Sequence, residues 1–135
     1  MMIKQIAQVE EFMKATGQEV RLKPTAKVDD KGQLKQMNLR MSLIQEELQE
    51  TFDAWFEEDT ISMADGLADT LYILLGTIIQ FGFGDCIEEV FDEVHRSNMT
   101  KLGPGGKPKY REDGKILKGP NFEQPKLKEI INKYI

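Results

Sequence analysis

Two groups of carboxylates dominate the chemistry this chain can offer. The run IQEELQE carries Glu46, Glu47 and Glu50, and the run ADGLADTLY carries Asp65 and Asp69. On an α-helix, at about 100° per residue, Glu47 and Glu50 share a face with Glu46 beside them. Continuing that face along the helix meets Leu43 and Ala54, so these acids flank an apolar stripe and do not oppose it. Asp65 and Asp69 lie one turn apart among Leu67, Leu71, Leu74 and Ile78. Carboxylates in such surroundings must be paired, protonated or bound to a cation. No matching set of Lys or Arg lies in the central part of either segment, so a hard divalent cation is the economical explanation, and oxygen-only ligands select Mg²⁺, Mn²⁺ or Ca²⁺ over zinc. An EExxE run alone is most often a solvated helix face. The second acidic pair, at helical spacing in a strongly apolar segment, raises the metal reading above that alternative.

These residues need helices to position them, and the apolar periodicity supplies helices throughout. Ile3, Ile6, Val9 and Met13 predict a first amphipathic helix closed by Gly17. Residues 17–33 lack any period and carry Pro24 and Gly32, which predicts a long ordered loop. Met37, Met41, Ile44, Leu48, Phe52 and Trp55 predict a helix from about Leu34 to Glu58; Trp55 and Phe56 are expected in the core or in an interface, and the second and third helices carry an apolar surplus that a small monomer would struggle to cover. A third helix from Ile61 to Phe81, with Asp59 and Thr60 as candidate N-caps, is apolar nearly all round and is expected to sit centrally. Asp85 and Glu88 resemble a capping box opening a fourth helix that runs to about Lys101. Asp113-Gly114 predicts a hairpin, and Pro125 a short terminal helix. The fold class is therefore all-α: an antiparallel bundle of four main helices with a short C-terminal hairpin and a terminal helix, in one domain over 1–135.

Bulk properties bound the function. A chain of 135 residues, 40% hydrophobic and 30% charged, suits one globular domain. Its net charge of −5 argues against a nucleic-acid polymer as partner. A single cysteine allows no intrachain disulfide. The N-terminal stretch lacks the pattern of a secretory signal, and the longest apolar run, Leu71 to Gly84, falls short of the roughly 20 residues of a membrane span. The expected address is the cytoplasm, without a membrane partner. A di-iron carboxylate bundle would need two Glu-x-x-His motifs; the chain has one His, His95, with Asp92 at that spacing and no second copy.

The acidic pattern resembles the all-α nucleotide pyrophosphohydrolases that include MazG-like proteins and phosphoribosyl-ATP pyrophosphohydrolase: an EExxE run on one helix, matched by Glu46, Glu47 and Glu50, and an ExxD-type pair on the next, matched at Asp69. Gly66 stands where the family places its other acid, and the neighbouring Asp65 is a shifted substitute. The strings HRSNMTKL (95–102) and DGKILKGPN (113–121) look like the small subgroup akin to dimeric dUTPases. The resemblance implies Mg²⁺-dependent cleavage of nucleoside triphosphates between the α- and β-phosphates, nucleotide-pool house-cleaning, and a homodimer or homotetramer. A non-catalytic nucleotide- or metal-binding helical module is the rival reading.

A nucleoside triphosphate brings about four negative charges, which an acidic pocket repels unless metal intervenes. The expected roles are therefore Glu47, Glu50, Asp65 and Asp69 as ligands of Mg²⁺, with Mn²⁺ as an alternative, and Glu46 as the group that orients or deprotonates water. The apolar face of the fourth helix, Ile87, Val90 or Phe91, and Val94, projects onto Asn98 and Lys101, which become candidate substrate contacts on a buried side. Lys115 and Lys118 flank the hairpin and are candidates to close over phosphates; Arg96 is expected to point outward. For the base, the resemblance points to Gln18 in the loop after the first helix.

Overall fold

A computed structural model describes residues 3–27 and 31–135. The chain is 62% helical, with five α-helices and no strand among the described residues. It divides into two compact units, 1–84 and 85–135.

The first unit holds α1 (Ile3–Ala15), α2 (Lys31–Phe56) and α3 (Thr60–Gln80). α1 ends as its sequence predicts: at Gly17, φ +73°, the chain turns, the Gln18 N–H donates to Met13 O (2.8 Å) and the Gly17 N–H to Lys14 O (3.3 Å), the paired bonds of a Schellman closure. Val9 and Met13 from α1 meet Leu75 and Ile79 from α3 in the apolar core, with Ile6, Val20 and Ile78 packed against it. Much of the predicted 17–33 loop is extended chain held to the end of α3, where Arg21 N–H donates to Ile79 O (3.3 Å) and Thr25 N–H to Phe81 O (3.1 Å). The middle of that loop, residues 28–30, lies outside the described residues. α2 starts three residues before the expected Leu34.

Only three residues join α2 to α3. Asp59 is the N-cap: its carboxylate accepts from the Ser62 N–H (3.0 Å) and the Ser62 hydroxyl (2.7 Å), and these bonds hold its pKa below the ordinary value. Thr60, the other candidate cap, is the first residue of the helix. The two helices run antiparallel, since Thr51 abuts Gly66 while Arg40, further back on α2, abuts Gly76, further along α3. The seam on α3 is Gly66, Asp69, Ile73, Gly76 and Gln80, a three-four spacing. Glycine lets the helices approach at two of these positions: a Cβ on Gly66 would collide with the Thr51 hydroxyl, with the Thr51 backbone behind it, and one on Gly76 would stand 2.5 Å from Arg40 Nη1, the tip of a side chain that would have to shift.

The apolar stripe of α2 lies mostly outside this seam, with Leu48 52%, Phe52 54% and Trp55 57% exposed, and Phe56 more so, so Trp55 and Phe56 are not in the core of this chain. What α2 buries is Arg40, Thr51 and Ala54. Small and polar residues win the seam because helices approach closely only where glycine and short side chains permit it. α3 is likewise not enclosed: Leu67, Leu71 and Leu74 are all more than 40% exposed. By length and composition α3 would suffice to cross a membrane, against the sequence expectation of too short a stretch.

The second unit holds α4 (Ile87–Met99) and α5 (Leu127–Asn132). The predicted capping box does not set the start of α4. Cys86 is the N-cap, one residue beyond Asp85, and supplies no side-chain cap. The hairpin exists in minimal form: one antiparallel bridge, Tyr110 to Ile116, around a turn in which Arg111 N–H donates to Lys115 O (2.7 Å). α5 opens two residues after Pro125. Polar clamps fasten the tail to α4: the Ser97 hydroxyl donates to Glu123 O (2.7 Å), Lys126 N–H to Glu93 Oε1 (2.9 Å), and Tyr134 and Lys133 both to the Glu89 carboxylate.

Glu93 also accepts from Arg96 (2.8 Å). The Arg96 guanidinium and the Lys126 N–H together pull its carboxyl down to about 2. A depressed carboxylate stabilises the fold above its unfolded value near 4.5 and loses that contribution as pH falls toward 2. Glu93→Gln is therefore expected to melt lower than the parent at pH 7, with the gap closing as pH drops below about 4.5 and gone near 2. Thermal melts of both proteins across that range measure it; a gap independent of pH would exclude the ionic clamp.

Candidate metal and nucleotide site

Along the α2–α3 seam, Glu47 and Asp69 fall between the Thr51–Gly66 and Arg40–Gly76 contacts. The side chains interact accordingly. Burial first, then the charges of Glu50, Asp69 and Asp65, raise the pKa of Glu47, whose carboxyl also lies close enough to Glu50 to share a proton with it. Among the described residues Glu47 Oε2 is buried with no hydrogen-bond partner. Glu47 and Asp69 are half-buried, while Glu50 and Asp65 lie on the exposed rim. Glu46 is exposed beside them.

Glu50, on the same helix, and Asp65 and Asp69, on α3, thus act electrostatically on Glu47 and its buried, orphaned oxygen. Among the described residues no group of three or more His, Cys, Asp or Glu side chains is yet drawn into a set that could hold a metal ion. The chemistry of the donors nevertheless fits a hard cation: every candidate atom is a carboxylate oxygen, and Glu47 Oε2 lacks the positive partner its burial demands. Gly66 explains the shifted acid. With Thr51 against it, and the Thr51 hydroxyl committed to Glu47 O (2.7 Å), position 66 has no room for a side chain, and Asp65 carries negative charge from the next position.

The remaining sequence candidates lie elsewhere. Gln18 follows α1 in the first unit, where its Oε1 accepts from Arg40 Nη2 (2.7 Å) and its Nε2 donates to the Thr16 hydroxyl (3.0 Å). Asn98, Lys101, Lys115 and Lys118 belong to the second unit. Asn98 is exposed, not on a buried side as expected. Ser97 turns inward in its place, because the tail offers the Glu123 carbonyl there. Lys101 is half-buried, and its carbonyl accepts from the Gly119 N–H (2.9 Å). Lys115 and Lys118 are exposed on the hairpin, Lys118 over the Phe122 ring. Arg96, expected to point outward, is tied to Glu93 and Glu123.

Sequence reasoning passed over Arg40 and Gln80. Both are buried, and the Arg40 Nε–H donates to Gln80 Oε1 (2.7 Å). The signal was present: Arg40 stands two turns before Glu47 on the face that carries Glu47, Thr51 and Ala54, and Gln80 interrupts an apolar helix as Asp65 and Asp69 do.

The sequence model of one family, phosphoribosyl-ATP pyrophosphohydrolase, matches residues 9–98. The match takes in the whole α2–α3 seam with its acids and runs to the last turn of α4. No curated protein sequence matches the chain.

Proposed function

Because the chain belongs to the phosphoribosyl-ATP pyrophosphohydrolase family, within the MazG-like all-α superfamily, it is a pyrophosphohydrolase acting on nucleotides, and we propose that its substrate is a nucleoside triphosphate cut between the α- and β-phosphates. The observation that carries this reading is the buried, unpartnered Glu47 oxygen among Glu50, Asp65 and Asp69. Those four residues would hold Mg²⁺ or Mn²⁺, which would supply the positive charge that screens and polarises the phosphates. Glu46, exposed beside the cluster, takes the proton of the attacking water. The new bond joins water oxygen to the α-phosphorus, the bond to the bridging oxygen breaks, and nucleoside monophosphate and pyrophosphate leave. In the second unit, Asn98, Lys101, Lys115 and Lys118 are proposed to bind phosphate; the ammonium groups of the three lysines have no carboxylate partner among the described residues. Cytoplasmic nucleotide-pool house-cleaning is the setting we propose.

A pyrophosphate-release screen over ribo- and deoxynucleoside triphosphates with Mg²⁺ or Mn²⁺ tests the reading. Release from at least one of them, lost with chelator, is expected. Turnover undiminished by chelator, or no release from any, would sink it.

The assembly we propose is a homodimer or homotetramer. Its contact surface is the apolar stripe of α2 and the exposed leucines of α3; covering such a side chain fully yields about 1.5–3 kcal/mol, and seven of them (Met41, Leu48, Phe52, Trp55, Leu67, Leu71 and Leu74) are left more than 40% exposed. Sedimentation is expected to show more than the 15.5 kDa monomer, and Phe52→Glu or Leu71→Glu to shift the protein toward it. A parent chain sedimenting as a monomer at micromolar concentration contradicts this.

A further inference from the structure

Where α2 ends, three exposed aromatic side chains crowd together. Phe52, Trp55 and Phe56 stand three and four positions apart, so they share one helical face, and their ring centroids lie between 5.6 and 6.0 Å from one another. Trp55 and Phe56 cross at 79° and, with Glu58, wall an open cleft of about 260 Å³. A second cleft, of about 190 Å³, opens beside it between Trp55, Glu58 and Met63. The indole and the Glu58 side chain border both.

The turn after α2 places that carboxylate. Glu58 takes a left-handed backbone, φ +57°; its N–H donates to Trp55 O (3.1 Å) and the Asp59 N–H to Ala54 O (2.9 Å). Glycine usually makes this helix closure, yet here the position carries a carboxylate. Among the described residues neither Glu57 nor Glu58 has an ion-pair partner. The two helices supply none: from Met41 to Gly84 the sequence has no Lys, Arg or His, while Asp53, Glu57, Glu58 and Asp59 neighbour the rings along the chain.

Aromatic faces attract cations through the negative potential of their π-clouds, tryptophan most strongly, and a carboxylate at the rim adds a charge-assisted hydrogen bond. A planar guanidinium suits a corner of two crossed rings, because it lies flat on one while its edge donates to an acceptor. We propose that this cleft binds an arginine side chain of a partner protein, with Trp55 and Phe56 flanking the guanidinium and Glu58 accepting from it. Charge complementarity selects the occupant. A second copy of the chain does not supply it, since each arginine is already engaged within its own fold: Arg21 by Glu19, Arg40 by Gln18 and Gln80, Arg96 by Glu93 and Arg111 by Asp113. A free guanidino compound would leave much of the patch in water, for Phe56 is 72% and Ile61 84% exposed; a peptide segment covers both.

Trp55 is the single tryptophan of the chain, so its emission reads this site alone. It also stands at the last turn of the stripe proposed to join copies, and the full chain is therefore tested in its assembled form. Titration with acetyl-Ala-Leu-Arg-Leu-Ala-amide is expected to change the emission saturably, with a Kd of about a millimolar or tighter. The same peptide with citrulline, a neutral isostere, is expected to bind about tenfold more weakly, and N-acetyl-arginine amide severalfold more weakly. Glu58→Gln should weaken the arginine peptide severalfold. Glu58→Gly should do the same while melting higher than the parent, because glycine fits that turn, which separates loss of binding from loss of folding. Equal responses to the arginine and citrulline peptides, the free amide binding as tightly as the peptide, or undiminished binding in Glu58→Gln overturns the inference. So does a Trp55 emission that is already that of a buried indole and is indifferent to the peptide, the sign of a second copy covering the cleft.

Discussion

Glu47→Gln is expected to reduce pyrophosphate release by about a thousandfold while leaving the metal-free protein as heat-stable as the parent, or more so. The two effects have one origin. In the folded chain Glu47 is crowded by Glu50, Asp69 and Asp65 and has a buried oxygen without a partner, so the carboxylate is a burden on the fold unless a cation is present. A neutral amide of the same shape removes the repulsion and keeps the packing. It also removes the charge that would bind the ion, and electrostatic contributions of this kind are worth about 10²–10³ in rate. Adding Mg²⁺ should raise the melting temperature of the parent and leave that of Glu47→Gln nearly unchanged. Loss of activity together with loss of metal-free stability would assign Glu47 a packing role instead.

Gly66→Glu, which places an acid where the sequence resemblance expects one, is expected to destabilise the fold by about 1–3 kcal/mol and to bring no gain in activity. Replacing a mid-helix glycine ordinarily stabilises a helix by up to about 1 kcal/mol. The collision with Thr51 outweighs that gain, because the Thr51 hydroxyl is held against Glu47 O and α2 stands directly behind it. Thr51→Ala alongside Gly66→Glu should recover part of the loss, which urea denaturation of the single and double variants would show. A Gly66→Glu protein that is both stable and more active would mean that Asp65 does not take over the missing acid's place.

Much of the architecture was legible because it depends on local chemistry. The periodicity of Ile6, Val9 and Met13, the turn at Gly17 and the cap at Asp59 each predict structure from a few neighbouring residues, and each is found. Helical spacing also puts Glu47 and Glu50 on one face, and the Glu50 charge does act on Glu47. What was illegible depends on which face a helix turns to its partner. The α2 stripe from Met41 to Trp55 is the more hydrophobic side, yet the closest approach of α2 to α3 is at Gly66 and Gly76, which meet the adjacent, more polar side with Arg40 and Thr51. Asn98 was misplaced for a similar reason: the inner side of α4 is set by where the tail offers the Glu123 carbonyl, 26 residues away, and Ser97 meets it.

Anomalous diffraction from crystals soaked in Mn²⁺ addresses the central claim most directly. A manganese peak is expected on the α2–α3 seam with carboxylate oxygens of Glu47, Glu50 and Asp69 about 2.0–2.3 Å from it, and none in Glu47→Gln crystals treated alike. A parent seam without manganese, its four acids turned to solvent or protonated against one another, would contradict the assignment.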